Sequence, residues 1–354
     1  MIYVSKIYLP RKEKLLSYID EIYESGWLTN NGPLVQKLEK CLEDYLGVKN
    51  LLVVGNGTVG LQLAIQALQL TGEAITTPFS FASTPCSLAK EHVNPIFADI
   101  DPETLNLDPS NIEEAITERT SAIMPVHVFG NPCEIDKIEE IAERRKLKVI
   151  YDASHAFDVN YKGKSVLAYG DISVISFHAT KIFHTIEGGA IIVKDDEVYK
   201  RAKILRNYGI DGPDSIAFPG INGKMNEFEA AMGLCNLDEM ETILAERKCS
   251  YDYYHRELDG LVSFQKWNVD ANHSLSYISA IFRSFEEMDR VREALAALQI
   301  YPRQYFSPSL DTVDFGVPQK IMRHSRDIAS RILVLPLHSN AEVEVCRVIK
   351  ELLV

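Results

Sequence analysis

SAIMPVHVFGNPCEIDKIEEIAERRKLKVIYDASHAF, residues 121 to 157, is the stretch on which the fold turns. It opens with an apolar run, SAIMPV (121 to 126), continues through a charged helical segment from Glu134 to Lys146, and returns to an apolar run, KVIYD (148 to 152). Short apolar runs alternating with helices are the pattern of an α/β sheet. The pattern extends upstream, to LLVV (51 to 54), a helix beginning near Gly57, AITT (74 to 77) before Pro78, and a strand from Pro95 to Ala98. It extends downstream to ISVISF (172 to 177), AIIV (190 to 193), a helix over 197 to 207 and a longer one from about 224 to 246. Ahead of all these, Pro33 opens a helix with Leu34, Leu38, Leu42 and Tyr45 at helical spacing, and Gly47 stands where a left-handed cap ends it.

Beyond residue 247 the texture changes to helix, strand, strand, helix, strand (ILVL, 332 to 335) and a final helix. A chain of 354 residues exceeds what one core serves, so two units are expected. Residues 1–246 would form a large α/β domain with a mixed, mostly parallel sheet, including the N-terminal segment, and 247–354 a smaller α+β domain.

Composition narrows the function. Hydrophobic residues at 46% and charged residues at 25% are ordinary globular usage, and no apolar stretch approaches the roughly 18 residues of a membrane span. The start, MIYVSKIYLPRKEK, lacks a secretory core, and the six cysteines are scattered with no CxxC pair, so a reduced cytoplasm is the expected compartment and no metal site is expected. A net charge of −13 disfavours nucleic acid and anionic membranes as partners, both of which bind through basic patches. An anionic small ligand would need local donors.

Chemistry-bearing residues concentrate near strand ends. Asp152 closes an apolar strand, and the carboxyl ends of strands in open α/β sheets form the crevice that binds ligands. A lone aspartate there equally serves to cap a following helix. His155 follows three residues on, and SFHATK brings Ser176 to a strand end with Lys181 in the loop behind it. Asn56-Gly57-Thr58 joins a buried strand to a helix, so unpaired amides and the positive helix end converge; such turns also simply start helices. An acid, a lysine with a serine, and a glycine-opened helix together meet the demands of pyridoxal 5′-phosphate: a phosphate anchor, a partner for the pyridine nitrogen, and an amine for the aldehyde.

Nine motifs in order carry a resemblance over nearly the whole chain: SGWLTNNGP (25 to 33), GNGT (55 to 58), TPFSFAST (77 to 84), PVHVFGNP (125 to 132), DASHAF (152 to 157), SFHATK (176 to 181), EGGAI (187 to 191), LRNYG (205 to 209) and GINGKMNEFEAAMG (220 to 233). The chain resembles the DegT/DnrJ/EryC1/StrS family of sugar aminotransferases, which implies a large domain of the aspartate aminotransferase type. The resemblance implies that Lys181 is the Schiff-base lysine and proton shuttle, that Asp152 accepts the pyridinium N–H, that Gly57, Thr58 and Ser176 hold the phosphate, and that Phe81 stacks on the ring, although a core aromatic is its plain alternative. His155 stands where the family usually has glutamine beside the phenolic oxygen, and Ile182 where asparagine is more frequent. Asn222 matches a residue that reaches the phosphate from a neighbouring subunit, implying a homodimer with shared active sites. Arg206, Asn207, Lys224 and Tyr305 are candidates for the diphosphate and base, and Trp27 and Thr29 for the sugar pocket.

The implied reaction passes an amino group from L-glutamate to a nucleotide-linked keto sugar, the cofactor alternating between its pyridoxal and pyridoxamine forms. Within the family the motifs are most similar to members that make dTDP-4-amino-4,6-dideoxyglucose from dTDP-4-keto-6-deoxyglucose, with surface polysaccharide synthesis as the setting; amination at C3 is the nearest alternative. A sugar dehydratase of the same family would carry histidine at Lys181. A non-catalytic sensory protein on this fold would lack the lysine or add a DNA-binding module, and a Rossmann oxidoreductase would show GxGxxG after its first strand.

Overall fold

The computed structural model describes residues 1–338 and 340–353. Seven strands form its main sheet, in the order Leu51–Val54, Gly189–Val193, Ile172–Ser176, Lys148–Asp152, Thr120–Met124, Glu73–Thr76, Asn94–Phe97. All neighbours run parallel except Gly189–Val193, which is antiparallel to both strands beside it. Val54, Ser176, Asp152, Met124 and Thr76 therefore end at one edge, and Gly189, the start of the antiparallel strand, faces both Val54 and Ser176 in register. The mixed, mostly parallel sheet expected from the sequence is present.

The continuous apolar runs follow from helices covering both faces. Successive side chains alternate: Leu51 and Val53 join Leu38, Leu42, Ala230 and Leu234 in one core, while Leu52 and Val54 join Leu61, Ala64, Ala202 and Leu205 in the other. Leu38 and Leu42 are fully buried, so truncating either to alanine would cost about 2–5 kcal/mol. The helix Pro33–Leu46 ends on left-handed Gly47, as its sequence predicts, but Tyr45 stays 38% exposed and stacks on Phe157 while Leu46 takes the core position.

The long helix expected over 224 to 246 is instead two, Glu227–Leu237 and Met240–Leu258. A capping box of Asn226 and Glu229 starts the first. The second starts after Glu239, whose N–H bonds Asn236 O and whose carboxylate accepts from Tyr8 Oη and Arg11 Nε. The second helix spans the change of texture: Met240 and Ile243 lie in the first core, Tyr254 and Leu258 in that of the smaller unit.

That unit is built on an antiparallel sheet, Ser263–Phe264, Ile278–Ile281 and Ile332–Leu335, packed by Phe285–Ala297 and Ala341–Leu353. Ile2–Tyr3 pairs with Ile300–Tyr301, so the chain's first strand lies on the smaller unit. A further helix, Arg323–Arg331, absent from the sequence expectation, has only Ile328 and Ala329 as apolar residues and buries them with Ser325. Between the units, Phe79, Val126, Phe129, Tyr277 and Phe306 form one apolar cluster. It backs the cavity at the carboxyl edge of the main sheet.

Candidate active site

The cavity holds about 500 Å³ and takes its wall from both units: Gly57, Thr58, Phe81, Asp152, His155, Ser176 and Lys181 from the larger, Tyr277, Arg303, Tyr305 and Phe306 from the smaller. At one end Asn56, extended at φ −169°, caps the helix Gly57–Ala67 and its side-chain oxygen takes the Val59 N–H at 2.8 Å. Among the described residues the Gly57 and Thr58 amides then have no protein acceptor. A Cβ at Gly57 would stand 3.1 Å from Ser176 Cβ, so glycine is what allows this helix start to close on the strand end. Two amides, two hydroxyls and the positive helix end meet there, which suits a phosphate.

Asp152 is 3% exposed. Its Oδ1 accepts from Ser154 N (3.1 Å) and Ser154 Oγ (2.6 Å), and its Oδ2 from Thr84 Oγ1 (2.7 Å). No helix follows directly, so the carboxylate is not a helix cap. Held by these donors on the cavity wall, it is placed to receive a further N–H.

Lys181 is half-buried, with Nζ 5.8 Å from the Tyr277 ring centroid and no ion-pair partner among the described residues. Burial lowers its pKa from the ordinary value to about 8, with the Asp152 charge opposing the shift. A neutral amine is thereby accessible close to physiological pH.

His155 is held in an aromatic slot. Its ring lies nearly parallel to Phe129 (6.2 Å between centroids) and Phe306 (6.0 Å) and edge-on to Tyr277 (4.7 Å). Its carbonyl accepts from the Ser274 and Ser276 hydroxyls, which fixes the backbone beneath the ring. Burial first, and then the Lys181 charge, hold its pKa well below the ordinary histidine value, so the ring is neutral. Nδ1 has no partner among the described residues. Tyr277 itself is pushed up to about 12 by burial, with the Arg247 and Arg303 charges opposing.

The remaining expectations divide. Phe81 stands on the wall 58% exposed, an open ring face rather than a core aromatic. Tyr305 lines the cavity beneath the Arg303 guanidinium, 4.7 Å from its ring centroid. Trp27, Thr29, Asn207, Asn222 and Lys224 do not reach this chain's own cavity. Trp27 and Thr29 lie exposed ahead of the helix Pro33–Leu46, while Asn207 bridges Asn222 through the backbone and accepts from Lys224 Nζ at 2.9 Å. Arg206 must be corrected. It is 5% exposed and its guanidinium is turned into the fold, with Nη1 on Glu39 (2.9 Å) and Val53 O (2.7 Å), Nη2 on Asn31 Oδ1 (3.1 Å) and Nε buried without a partner among the described residues, so it is not placed to hold a substrate's diphosphate.

Several wall residues had no reading in advance. His178 and Glu187 lie inside these motifs, as does Thr84, buried behind the wall; His178 accepts the Thr180 N–H at Nδ1 and turns Nε2 to Glu187, 3.6 Å away. Tyr277, Arg303 and Phe306 lie in the smaller unit, where no motif marks them.

Residues 10–353 match the DegT/DnrJ/EryC1/StrS aminotransferase family. The chain is 41% identical over 353 residues to the dTDP-4-amino-4,6-dideoxy-D-glucose transaminase of Shigella dysenteriae, covering 97% of this chain and 96% of that one. It is 36% identical over 357 residues to the Escherichia coli protein of the same name, with coverage of 98% and 96%. The crystal structure of DesI in the presence of its TDP-sugar product superposes with a TM-score of 0.91 at 34% identity, covering 98% of this chain and 91% of that one.

Proposed function

The chain belongs to the DegT/DnrJ/EryC1/StrS aminotransferase family, and from that premise we propose that it moves an amino group from L-glutamate to dTDP-4-keto-6-deoxyglucose, giving dTDP-4-amino-4,6-dideoxyglucose. It is a sugar aminotransferase that works with pyridoxal phosphate. The single observation that carries the residue assignment is a lysine amine with its pKa lowered to about 8, unpaired, in one cavity with a carboxylate pinned by donors and an open helix start.

The residues fit the cofactor. The cradle at Gly57 that a Cβ would fill, with Thr58 and Ser176, would hold its phosphate; Asp152 would take its ring N–H; Phe81 would cover a ring face; and His155 would present a neutral imidazole to its phenolic oxygen. When bound, pyridoxal phosphate supplies an electrophilic carbonyl and an electron-withdrawing ring that carries the amino group between donor and acceptor. Lys181, neutral above pH about 8, offers first a nucleophile and then, once free, a base that moves a proton at the sugar carbon. Asp152, pinned by Thr84 and Ser154, would hold its carboxylate toward the ring nitrogen.

Trp27, Thr29, Asn207, Asn222 and Lys224 lie off this chain's cavity, and their place in the proposal is at the site of a second copy, in a homodimer with shared active sites. Light scattering at twice the chain mass supports this; a monomer retaining full activity refutes it. Among the described residues no helix is long and apolar enough to cross a membrane, and the six cysteines are unpaired, in keeping with work in the cytoplasm.

The test is an absorbance scan of the protein with pyridoxal phosphate, before and after L-glutamate, repeated on Lys181→Ala. A visible band that glutamate removes, and that the variant never shows, is expected. Product analysis with dTDP-4-keto-6-deoxyglucose should then place the new nitrogen on C4; nitrogen on C3, or no product, rejects the proposed substrate.

A further inference from the structure

The proposed reaction brings two different molecules into one cavity in turn, and both are anionic away from the reacting centre. The donor ends in a distal carboxylate and the acceptor in a diphosphate. The chain that must admit them has a net charge of −13. Of its lysines and arginines, among the described residues, only Lys181 and Arg303 line the chain's own cavity, to which a second copy would add Lys224. Lys181 is neutral part of the time and is committed to chemistry. Arg303 carries a planar guanidinium with a fork of donors.

Arg303 is also built in. Its backbone N–H donates to Val334 O (3.1 Å) and its carbonyl accepts from Val334 N (2.8 Å), tying it to the smaller unit's sheet. Its guanidinium lies over Tyr305, 4.7 Å from the ring centroid, which limits its rotamers without using its donors. It is exposed and has no carboxylate in ion-pair range among the described residues. Tyr305 meets Tyr277 edge-on at 6.2 Å, and Tyr277 in turn lies 5.8 Å from Lys181 Nζ. Two aromatic rings thus separate the reacting amine from the fixed cation, a spacing that suits a ligand reacting at one end and anionic at the other.

Resting on the functional reading above, we propose that Arg303 is a shared oxyanion anchor, holding the distal carboxylate of the amino donor in one half-reaction and the diphosphate of the sugar nucleotide in the other. One guanidinium fork serves both, since carboxylate and phosphate present similar paired oxygens.

The test uses the holoenzyme and Arg303→Gln, with two unreactive probes, maleate for the donor and dTDP for the acceptor, titrated by calorimetry. Each half-reaction is followed alongside by single-turnover absorbance. The variant should raise both dissociation constants about 10- to 100-fold, with limiting rates within about 3-fold of wild type. Arg303→Lys should recover part of the loss, since it keeps the charge and loses the fork. Weakening of only one probe overturns the shared role, and weakening of neither makes Arg303 a solvated surface group. A fall in limiting rate at unchanged affinity would assign it to the chemistry instead. Wild type that binds neither probe and shows no absorbance change with L-glutamate would sink the functional reading and this inference together.

Discussion

Two regions of the larger unit each take a cation out of water and treat it in opposite ways. Beneath the helix Pro33–Leu46, Arg206 is surrounded by compensation: a carboxylate at 2.9 Å, a backbone carbonyl at 2.7 Å and an amide oxygen at 3.1 Å. In the loop after the strand Ile172–Ser176, Lys181 has nothing comparable. The acid whose charge acts on it, Asp152, already accepts from Thr84 and Ser154. Glu39, the partner of Arg206, has its pKa raised by burial and pulled back by the guanidinium, so each charge depends on the other. Lys181, without such a partner, shifts its own pKa to about 8. A compensated cation is a fixed part of the structure, while an uncompensated one can give up its proton.

Replacing the uncompensated cation should have the largest effect and leave the fold alone. Lys181→Ala is expected to lower kcat/KM for amino transfer by about 10⁴-fold or more, because the proposed nucleophile and proton carrier are lost together. The urea midpoint of the cofactor-free protein should stay level or rise, since a desolvated amine is removed. A variant that unfolds early would show that Lys181 is structural after all.

Glu39→Gln should do the reverse. Breaking a buried pair leaves Arg206 with only neutral acceptors, and a loss of about 3 kcal/mol in unfolding free energy by urea titration is expected. Activity per folded molecule should remain within about 2-fold, because neither residue lines the cavity. If Glu39→Gln instead abolished turnover in protein that is still folded, the contrast between the two regions would fail.

Both cations stood in motifs, SFHATK and LRNYG, Lys181 as the expected reactive lysine and Arg206 as a candidate substrate contact. What separated them was partners distant in the chain, since Glu39 lies 167 residues from Arg206 and no local pattern announces the pair. The sheet was readable because its buried strands are continuous apolar runs and the turns at Gly47 and Gly57 have local causes. The cavity wall from the larger unit was readable because its residues sit near strand ends in compact motifs. The opposite wall was not: Tyr277, Arg303 and Phe306 come from irregular segments whose position depends on packing between units. The split at Asp238 and Glu239 was likewise hidden, where Glu239 takes contacts from Tyr8 and Arg11 at the other end of the chain.

The lowered pKa of Lys181 gives the contrast a pH dependence. Its folded pKa, about 8, lies below that of a free lysine, so below pH 8 the amine is protonated and its reactive fraction falls about tenfold per unit. Uptake of pyridoxal phosphate by the cofactor-free protein, followed at the visible band, should accelerate from pH 6 toward 8 and level off above. A rate still climbing tenfold per unit between pH 9 and 10 would mean the amine is solvated like any surface lysine.

The smallest effect tests why Lys181 remains unpaired. Thr84 is fully buried, and its hydroxyl at 2.7 Å occupies Asp152 Oδ2, while Ser154 occupies Oδ1. The carboxylate is thus oriented by donors rather than swung toward the lysine. Thr84→Val keeps the shape and removes one hydrogen bond to a charged acceptor, worth about 1.5–3 kcal/mol. Part of that loss should appear as lower stability, since Oδ2 is left without a donor, and the rest as a fall of about tenfold in kcat with the KM for L-glutamate little changed. Thr84→Ser should restore the rate, because it returns the hydroxyl and loses only a methyl group. If Thr84→Val lost stability but kept full kcat, Ser154 alone would suffice to aim Asp152, and the threonine would belong with Glu39 and Arg206 to the part of the molecule that is compensated for the sake of the fold.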